Sequence, residues 1–478
     1  MIALVRLLAR FSSLYLLACT AAFAQYEERL PIPVARALKL AALPPSAVAV
    51  VVQEVGSFQP RVSLNAAAAM NPASLMKLLT TYAALDSLGP AYRWKTEAWL
   101  RGPLADGVLE GDLYLKGGGD PKLTLEQFWL LLRELRARGL REVRGDLVLD
   151  RSLFAADDYA VIDDQPLRAY NVTPDALLLN FKAVRLSFLP DAERKSVAVL
   201  AEPLPEPLQI ANSLKLNGNG CGDWKENLKL DYAPASGRLT LAGSFPLSCG
   251  EKSINLGLLP HPQYVAGVFR SLWQELGGRI GGGLRSAPLP AEARLFASIE
   301  SPALAEVIRD INKYSNNVMA RQLFLTLGAE SARRNGGGVR ASDAEQALRD
   351  WLAGRDLSFP ELVLDNGSGL SRRERISAEN LTRLLALAWK SPLMPEFLAS
   401  LPLTAIDGTM KKRLRENAVA GQAHIKTGSL EGVKGIAGYV LDRGGKWQMV
   451  VFLVNHANAA AAQAAQDALL AWVYARGA

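Results

Sequence analysis

The amino-acid sequence predicts an α+β fold in which an antiparallel sheet, covered by helices, is assembled from both ends of the chain. Short apolar runs typical of strands occur at 48–54 and 61–65, and again at 423–427, 435–441 and 448–455. Between these two groups the pattern changes to many short β-like runs separated by Gly, Pro and Asp. We therefore expect large β-rich inserted domains within the fold.

The same change of pattern predicts where the domains lie. With 478 residues, 49% of them hydrophobic, the chain is long enough for two or three domains. We expect residues 25–95 and 290–478 to form one discontinuous domain. Residues 96–289 are expected to form the inserted β-rich region, divided into two nested domains.

Helices are expected where helical periodicity follows residues that favour a helix start. A helix over 71–85 is expected because it begins with Asn and Pro, which suit the N-cap and the first helical position. Another helix, 125–138, interrupts the β-rich region, and 302–390 is mostly helical. The last helix is expected at 459–474, with Asn458 as its N-cap.

Charge and composition exclude some classes of partner. The net charge is +7, but the 54 basic residues are matched by 47 acidic residues. These charges are scattered along the chain rather than gathered in a stripe. We interpret them as a solvated surface, which argues against a nucleic-acid partner.

Residues 1–24 have the layout of a cleavable signal peptide. Arg6 and Arg10 precede a short apolar run at 11–19, and an Ala-x-Ala site ends at Ala24. The run is too short to cross a bilayer. Because no later stretch is apolar enough either, we expect no transmembrane span in the mature form.

The three cysteines carry two further predictions. Cys19 ends the sequence Leu-Leu-Ala-Cys, which resembles a lipoprotein cleavage box. A lipid anchor on Cys19 is therefore the alternative to cleavage after Ala24. If the signal is removed, Cys221 and Cys249 remain, and an even pair in an exported chain predicts one disulfide.

The histidines give no sign of a metal site. His261, His424 and His456 do not cluster with cysteines or carboxylates at the spacing of metal ligands. We expect no metal, and the sequence predicts no cofactor.

The first motif with chemical meaning is Ser74-Leu75-Met76-Lys77, at the start of the expected helix. Residues three apart share a helix face, so Lys77 lies beside Ser74. A serine hydroxyl needs a base to become a nucleophile, and a partly desolvated lysine amine can be that base. A Ser-x-x-Lys pair alone is common by chance, and an exposed helix pair is its ordinary interpretation.

Two further motifs follow in order. Ser315-Asn316-Asn317 provides a hydroxyl that can relay a proton and, two residues on, an amide that can hold a peptide. Lys426-Thr427-Gly428-Ser429 follows a strand-like run. Its glycine lets a substrate backbone approach closely, and its lysine and hydroxyls can bind a carboxylate. Taken alone, each of these two motifs is typical of a turn or a helix cap.

Taken together, the three ordered motifs resemble the signature of the penicillin-recognising serine enzymes. The segments 365–372, 407–409 and 435–440 also look like those of the class C low-molecular-mass penicillin-binding proteins. These are D-alanyl-D-alanine carboxypeptidases and endopeptidases, and the resemblance covers essentially the whole mature chain. It implies the β-lactamase/penicillin-binding-protein-like transpeptidase fold, with the discontinuous domain as the catalytic one.

The resemblance implies a role for each motif residue. Ser74 would be the acylated nucleophile and Lys77 its base. Ser315 would pass a proton to the leaving amine, Asn317 would bind the substrate backbone, and Lys426 would support this proton network. The oxyanion hole would be formed by two backbone N–H groups, those of residues 74 and 429.

The resemblance also implies substrate-binding residues. Thr427 and Ser429 would bind the terminal carboxylate beside Gly428. Arg372 matches an arginine expected to contact the peptide stem. Asp164 matches an inserted-domain aspartate that meets the diaminopimelate end, although its neighbour in the sequence fits equally well and a plain surface acid is the simpler interpretation.

The implied partners are peptidoglycan stem peptides and cross-links, with β-lactams as covalent inhibitors, and the implied location is the periplasm. Two other classes remain. A β-lactamase shares the motifs but needs a Glu-x-x-Leu-Asn loop, for which 361–366 is only a near miss. A non-catalytic wall-binding protein would be expected to lack Ser74 or Lys77, and both are present.

Overall fold

The computed structural model describes residues 30–155, 165, 167–331 and 338–476. The expected signal peptide, Cys19 and Asp164 lie outside these residues. The chain divides into two compact units. Of the described residues, unit 1 comprises 30–92, 303–327 and 344–476, and unit 2 comprises those within 93–302 and 328–343.

The α-helices of the described residues are, in chain order, α1 (Ile32–Leu40), α2 (Met76–Leu88), α3 (Leu125–Ala137), α4 (His261–Glu275), α5 (Leu304–Tyr314), α6 (Asn317–Ser331), α7 (Ala341–Gly354), α8 (Ala378–Lys390), α9 (Met394–Ser400) and α10 (Gln463–Ala475).

The strands are, in the same order, β1 (Val48–Glu54), β2 (Val62–Leu64), β3 (Lys95–Arg101), β4 (Leu104–Ala105), β5 (Val108–Leu109), β6 (Asp112–Gly117), β7 (Glu142–Val143), β8 (Leu147–Asp150), β9 (Val184–Asp191), β10 (Ser196–Glu202), β11 (Gln209–Asn212), β12 (Lys215–Asn217), β13 (Leu228–Ala233), β14 (Arg238–Pro246), β15 (Lys252–Leu256), β16 (Arg279–Ile280), β17 (Leu284–Ser286), β18 (Arg294–Glu300), β19 (Ala423–Leu430), β20 (Val433–Leu441) and β21 (Trp447–Asn455).

Unit 1 is built on a five-stranded sheet with the order β19-β20-β21-β1-β2. Every pairing in it is antiparallel, and β1 pairs with β21 along its whole length. The prediction of one antiparallel sheet from both chain ends is therefore confirmed. Alternate β1 residues such as Val50 and Val52 pack with α1 and α10, while α8 packs against β1 and β21. Burial on both faces explains why these strands are continuously apolar.

Two helix starts differ from the prediction. The helix expected at 71–85 begins with a 3₁₀ turn at Ala73–Leu75, which passes into α2. The last helix likewise begins with a 3₁₀ turn, Ala459–Ala462. Asn458 is the N-cap residue of this turn, as predicted, but its side chain makes no capping hydrogen bond. Its backbone carbonyl accepts the Ala461 N–H instead, at 3.0 Å.

Unit 2 is rich in β structure, as the sequence predicts. Its largest sheet has the order β17-β8-β6-β3-β18. Because Arg294–Glu300 pairs with β3, the chain passes from unit 2 to unit 1 near residue 303 rather than at the expected 290. The division of this region into two nested domains stays a prediction.

Two local features of unit 2 match the sequence analysis. The helix expected at 125–138 is present as α3, and Thr124 and Gln127 form a capping box at its start. Cys221 and Cys249 form a disulfide. Within the part of the chain that the structure describes, no helix is long and apolar enough to cross a membrane.

Candidate active site

The segment that precedes Ser74 is clamped to the end of β21. The backbone N–H of Asn71 donates to Asn455 Oδ1 at 2.8 Å, and Asn455 Nδ2 donates back to the Asn71 carbonyl at 3.0 Å. The Asn71 side chain also accepts the Ala73 N–H at 2.9 Å. Ala73 has φ +46°, a left-handed conformation that a side chain rarely adopts. This clamp fixes the entry to the turn that presents Ser74.

A second segment, 365–371, packs against the same turn. Asn71 Nδ2 donates to the Ser371 carbonyl at 2.8 Å. Gly369 has φ +80°, and a Cβ at this position would lie 1.8 Å from the Ala73 carbonyl oxygen and 2.7 Å from the Ser74 nitrogen. Only glycine permits this approach, so segment 365–371 forms one wall of the site.

Lys77 is fully buried at the centre of the site. Its Nζ donates to Ser74 Oγ at 3.0 Å, to Asn317 Oδ1 at 2.6 Å, and to the Ser368 carbonyl. Burial is the main cause that places the pKa of Lys77 well below its ordinary value, and the nearby charge of Lys426 adds to this. The amine therefore has a reduced affinity for its proton.

Ser315 and Asn317 lie where α5 ends and α6 begins. Ser315 has φ +57°, and this left-handed residue separates the two helices. Its hydroxyl accepts from Lys426 Nζ at 2.9 Å. Asn317 uses its side-chain oxygen for Lys77, so its amide nitrogen is the group left to donate to a substrate carbonyl. The turn thus contacts both lysines.

The Lys426–Ser429 motif lies on the edge strand β19. Lys426 is fully buried, and burial lowers its pKa to about 7. Thr427 Oγ1 donates to Thr409 Oγ1 at 2.8 Å. A Cβ on Gly428 would lie 2.7 Å from the Pro72 carbonyl oxygen, so the strand packs directly on the turn before Ser74. The following residue, Ser429, is exposed.

The structure thus brings the three motifs together, as the sequence analysis expects. Arg372 lies on the exposed rim, where it donates to the Glu431 carbonyl at 2.6 Å and to its carboxylate at 3.0 Å. Glu431 belongs to the turn after β19, so Arg372 lies near the end of the strand that carries Lys426–Ser429. Asp164 cannot be placed because it is outside the described residues.

Several residues that support the site were not predicted from the sequence. The carbonyl of Ser368 accepts from Lys77, and the hydroxyl of Thr409 accepts from Thr427. Lys313, only 7% exposed, pairs with Asp407 at 2.7 Å and so holds the turn that carries Thr409. Segments 365–372 and 407–409 were recognised only by their family resemblance. Their contacts could not be read from local spacing.

Segment 361–366, which only partly matches the Glu-x-x-Leu-Asn loop of β-lactamases, has a structural role. Glu361 accepts from the Ser377 N–H at 2.9 Å and from Asn380 Nδ2 at 2.8 Å, at the start of α8. Burial raises the pKa of Glu361, but these hydrogen bonds outweigh it and lower the pKa overall. An ionised carboxylate engaged in this way is a helix-capping group rather than a poised base.

The described residues contain no group of three or more His, Cys, Asp or Glu side chains placed to hold a metal ion. What the site offers is two buried lysines of lowered pKa, each hydrogen-bonded to a serine hydroxyl. Such a pair can activate a nucleophile and return a proton to a leaving group.

The chain was also compared with known proteins, and this comparison identifies its family. Residues 31–475 match the D-Ala-D-Ala carboxypeptidase 3 (S13) family, and the chain belongs to it. It is 30% identical over 421 residues to a D-alanyl-D-alanine carboxypeptidase of an Actinomadura species, covering 83% of this chain and 76% of the relative. The carboxypeptidase DacB of Haemophilus influenzae is 24% identical over 405 residues, covering 82% of each chain.

The fold has a solved counterpart. The crystal structure of penicillin binding protein 4 from Haemophilus influenzae matches with a TM-score of 0.75 and 23% identity, over 89% of this chain and 94% of that one. A structure of the same protein complexed with a β-lactam matches with a TM-score of 0.72. The predicted penicillin-binding-protein-like fold is therefore confirmed. The class of the chain is that of the serine-type D-alanyl-D-alanine carboxypeptidases.

Proposed function

We propose that the chain is a D-Ala-D-Ala carboxypeptidase and D,D-endopeptidase that cleaves peptidoglycan stem peptides and cross-links through an acyl-enzyme on Ser74. The observation that carries this proposal is the fully buried Lys77 amine, 3.0 Å from Ser74 Oγ. A base of lowered pKa at hydrogen-bonding distance from a hydroxyl is what serine activation needs.

The partners of Lys77 support its role as base. A protonated amine can donate to all three acceptors, Ser74 Oγ, Asn317 Oδ1 and the Ser368 carbonyl. A neutral amine has two N–H bonds and one lone pair. Because Asn317 Oδ1 and the Ser368 carbonyl can only accept, the two N–H bonds go to them. The lone pair then points at the Ser74 hydroxyl, ready to take its proton.

Acylation follows from this arrangement. Ser74 Oγ gives its proton to Lys77 and forms a bond to the carbonyl carbon of the penultimate D-alanine. The peptide C–N bond then breaks, and the amine of the leaving residue takes a proton through Ser315, whose hydroxyl is bonded to Lys426. The proposed oxyanion hole, the N–H groups of Ser74 and Ser429, would stabilise the intermediate.

Substrate recognition is proposed for the edge strand. The terminal carboxylate would meet the half-buried hydroxyl of Thr427 and the exposed hydroxyl of Ser429. Arg372 on the rim would contact the peptide stem in place of Glu431. In a cross-link the leaving group is a D-centred amine of a second stem, so the same machinery would serve endopeptidase action. Asp164 stays a proposed contact to the diaminopimelate end.

We propose the periplasm as the place of action, with cleavage after Ala24. The support is the signal-like layout of residues 1–24 together with the wall-polymer substrate class of the family. N-terminal sequencing of the exported protein tests this. A mature chain starting at residue 25 supports it, whereas a lipidated Cys19 would replace it by the anchored alternative.

Digestion of defined muropeptides tests the activity. D-alanine release from a pentapeptide and cleavage of a cross-linked dimer are expected from the wild type and not from Ser74→Ala. We expect penicillins to acylate the enzyme but to leave slowly, with a half-life of minutes or longer, because Glu361 is engaged at a helix start. Fast penicillin turnover without action on muropeptides would instead assign a β-lactamase.

A further inference from the structure

Glu374 is a buried carboxylate with no part in the mechanism above. Its side chain is 0% exposed. Oε1 accepts the backbone N–H groups of Asp365, Asn366 and Gly367 at 3.3, 3.1 and 3.0 Å. No polar group in the described part of the chain lies within hydrogen-bonding distance of Oε2. A fully buried group with one unpartnered oxygen is costly to keep, so its presence needs a reason.

The turn that Glu374 holds is the one that contacts the proposed base. Thr80 Oγ1 donates to the Gly367 carbonyl at 2.7 Å, and Lys77 donates to the Ser368 carbonyl. The carboxylate and the lysine amine therefore both contact the same short turn, residues 365–368. The carboxylate accepts N–H groups at residues 365–367, and the amine donates to the next carbonyl along the turn, that of Ser368.

The hydrogen bonds of the turn do not themselves require a negative charge. The amide oxygen of a glutamine could accept the same three N–H groups. Much of the turn is also held by its own side chains, since Asn366 Oδ1 accepts from both the nitrogen and the hydroxyl of Ser368, at 3.0 and 2.6 Å. What a carboxylate adds is charge, and converging N–H groups favour its ionised form.

The charged groups around Lys77 come from three elements. Lys426 on β19 and Arg321 on α6 act with burial to lower the pKa of Lys77, whereas the charge of Glu374 raises it. The pKa of Glu374 is itself raised overall, because burial outweighs the opposing hydrogen bonds from the turn, and Asp365 adds a smaller raising effect. Glu374 thus opposes two nearby cations at the amine.

We propose that Glu374 is a positioning residue whose charge sets the lower pH limit at which Lys77 can take the proton of Ser74. This inference rests on the proposed function, in which Lys77 is the base. Without the carboxylate, the two cations and burial would act unopposed, and Lys77 would stay neutral to lower pH. The charge therefore determines the pH range in which the enzyme works, and Glu374 takes part in no chemical step.

Glu374→Gln tests the proposal through the pH dependence of acylation. The second-order rate of acylation by a fluorescent penicillin is measured from about pH 5 to 9 for the wild type and the variant. We expect the acid limb of the variant to lie lower by about one pH unit, the order of magnitude by which one nearby opposite charge shifts a pKa. At a pH on that limb, each acylation rate is divided by the plateau rate of the same protein. This ratio should be about tenfold larger for the variant than for the wild type.

Glu361→Gln is the control. Glu361 is partly buried, and like Glu374 it is a carboxylate that accepts a backbone N–H, here at the start of α8. Its limb should coincide with that of the wild type. An unmoved limb in Glu374→Gln, or one moved to higher pH, overturns the inference. If the wild type is not acylated at all, the proposed function fails first, so the two failures are distinguishable.

A second pair covers the case in which Glu374→Gln does not fold. Glu374→Asp and Glu374→Asn have the same length and differ in charge, so the limb of the Asn variant should lie at the lower pH. Equal limbs overturn the proposal. If only the charged variant folds, as judged by circular dichroism, the charge serves folding and the proposal is also overturned.

Discussion

Replacing Gly369 by alanine should displace the nucleophile Ser74 without removing any catalytic group. The new Cβ would lie 1.8 Å from the Ala73 carbonyl oxygen, whereas ordinary contact begins near 3.4 Å. The atoms it meets are backbone, so they cannot swing aside as a flexible side chain can. The two chain segments must move apart by more than about 1.5 Å, which changes the position of the Ser74 nitrogen relative to segment 365–371.

The expected loss can be estimated in two parts. Alanine at φ +80° costs roughly 1–2 kcal/mol of folding free energy wherever it occurs. A displacement on the order of 1 Å at reacting groups can cost about 100-fold in rate. Gly369→Ala should therefore acylate about 100 times more slowly than the wild type, beyond any loss of stability.

The variant Gly445→Ala separates the loss of stability from the loss of acylation rate. Gly445 lies in the hairpin turn between β20 and β21 and has φ +78°, and a Cβ added there would meet nothing within 4 Å. This variant should lose similar stability but keep its acylation rate. Stopped-flow acylation with a fluorescent penicillin and urea unfolding measure both quantities. If Gly369→Ala acylates as fast as Gly445→Ala, the close packing of segment 365–371 on the nucleophile turn is refuted.

Three other predictions follow from the structure. Lys77→Ala should lose nearly as much acylation rate as Ser74→Ala, and the double variant little more; additive losses would contradict a catalytic pair. Cys221→Ser with Cys249→Ser should lower the free energy of unfolding by about 3.5 kcal/mol in urea, for a loop with a separation of 28; an unchanged value would contradict it. Because the pKa of Lys426 is about 7 in the fold and 10.5 unfolded, stability should rise with pH between these values. Lys426→Met should flatten this rise, and an unchanged slope would contradict the effect of burial on this amine.

The sheet and the three motifs were predictable because their signals are local. Apolar runs of strand length sit at both chain ends, and a serine and lysine three residues apart must share a helix face. The order of the three motifs along the chain then indicated a resemblance to a known family. In the structure, hydrogen bonds join these motifs, from Lys77 to Asn317 and from Lys426 to Ser315.

The supporting contacts were not predictable, because they join distant parts of the chain. Lys77 and Ser368 are 291 residues apart in the sequence, and nothing in the spacing of either reveals the other. Glu374 looks like one charged residue in a polar stretch until its burial is seen. Asn458 is the N-cap that residue type predicts, but the 3₁₀ turn that follows uses its backbone carbonyl rather than its side chain.

The central claim is that Ser74 is the nucleophile and Lys77 its base. Intact-protein mass spectrometry after exposure to benzylpenicillin, followed by peptide mapping, tests it most directly. We predict one adduct per chain on the peptide that contains Ser74, and none on Ser74→Ala. An adduct on another residue, or one that persists in Ser74→Ala, would contradict the account.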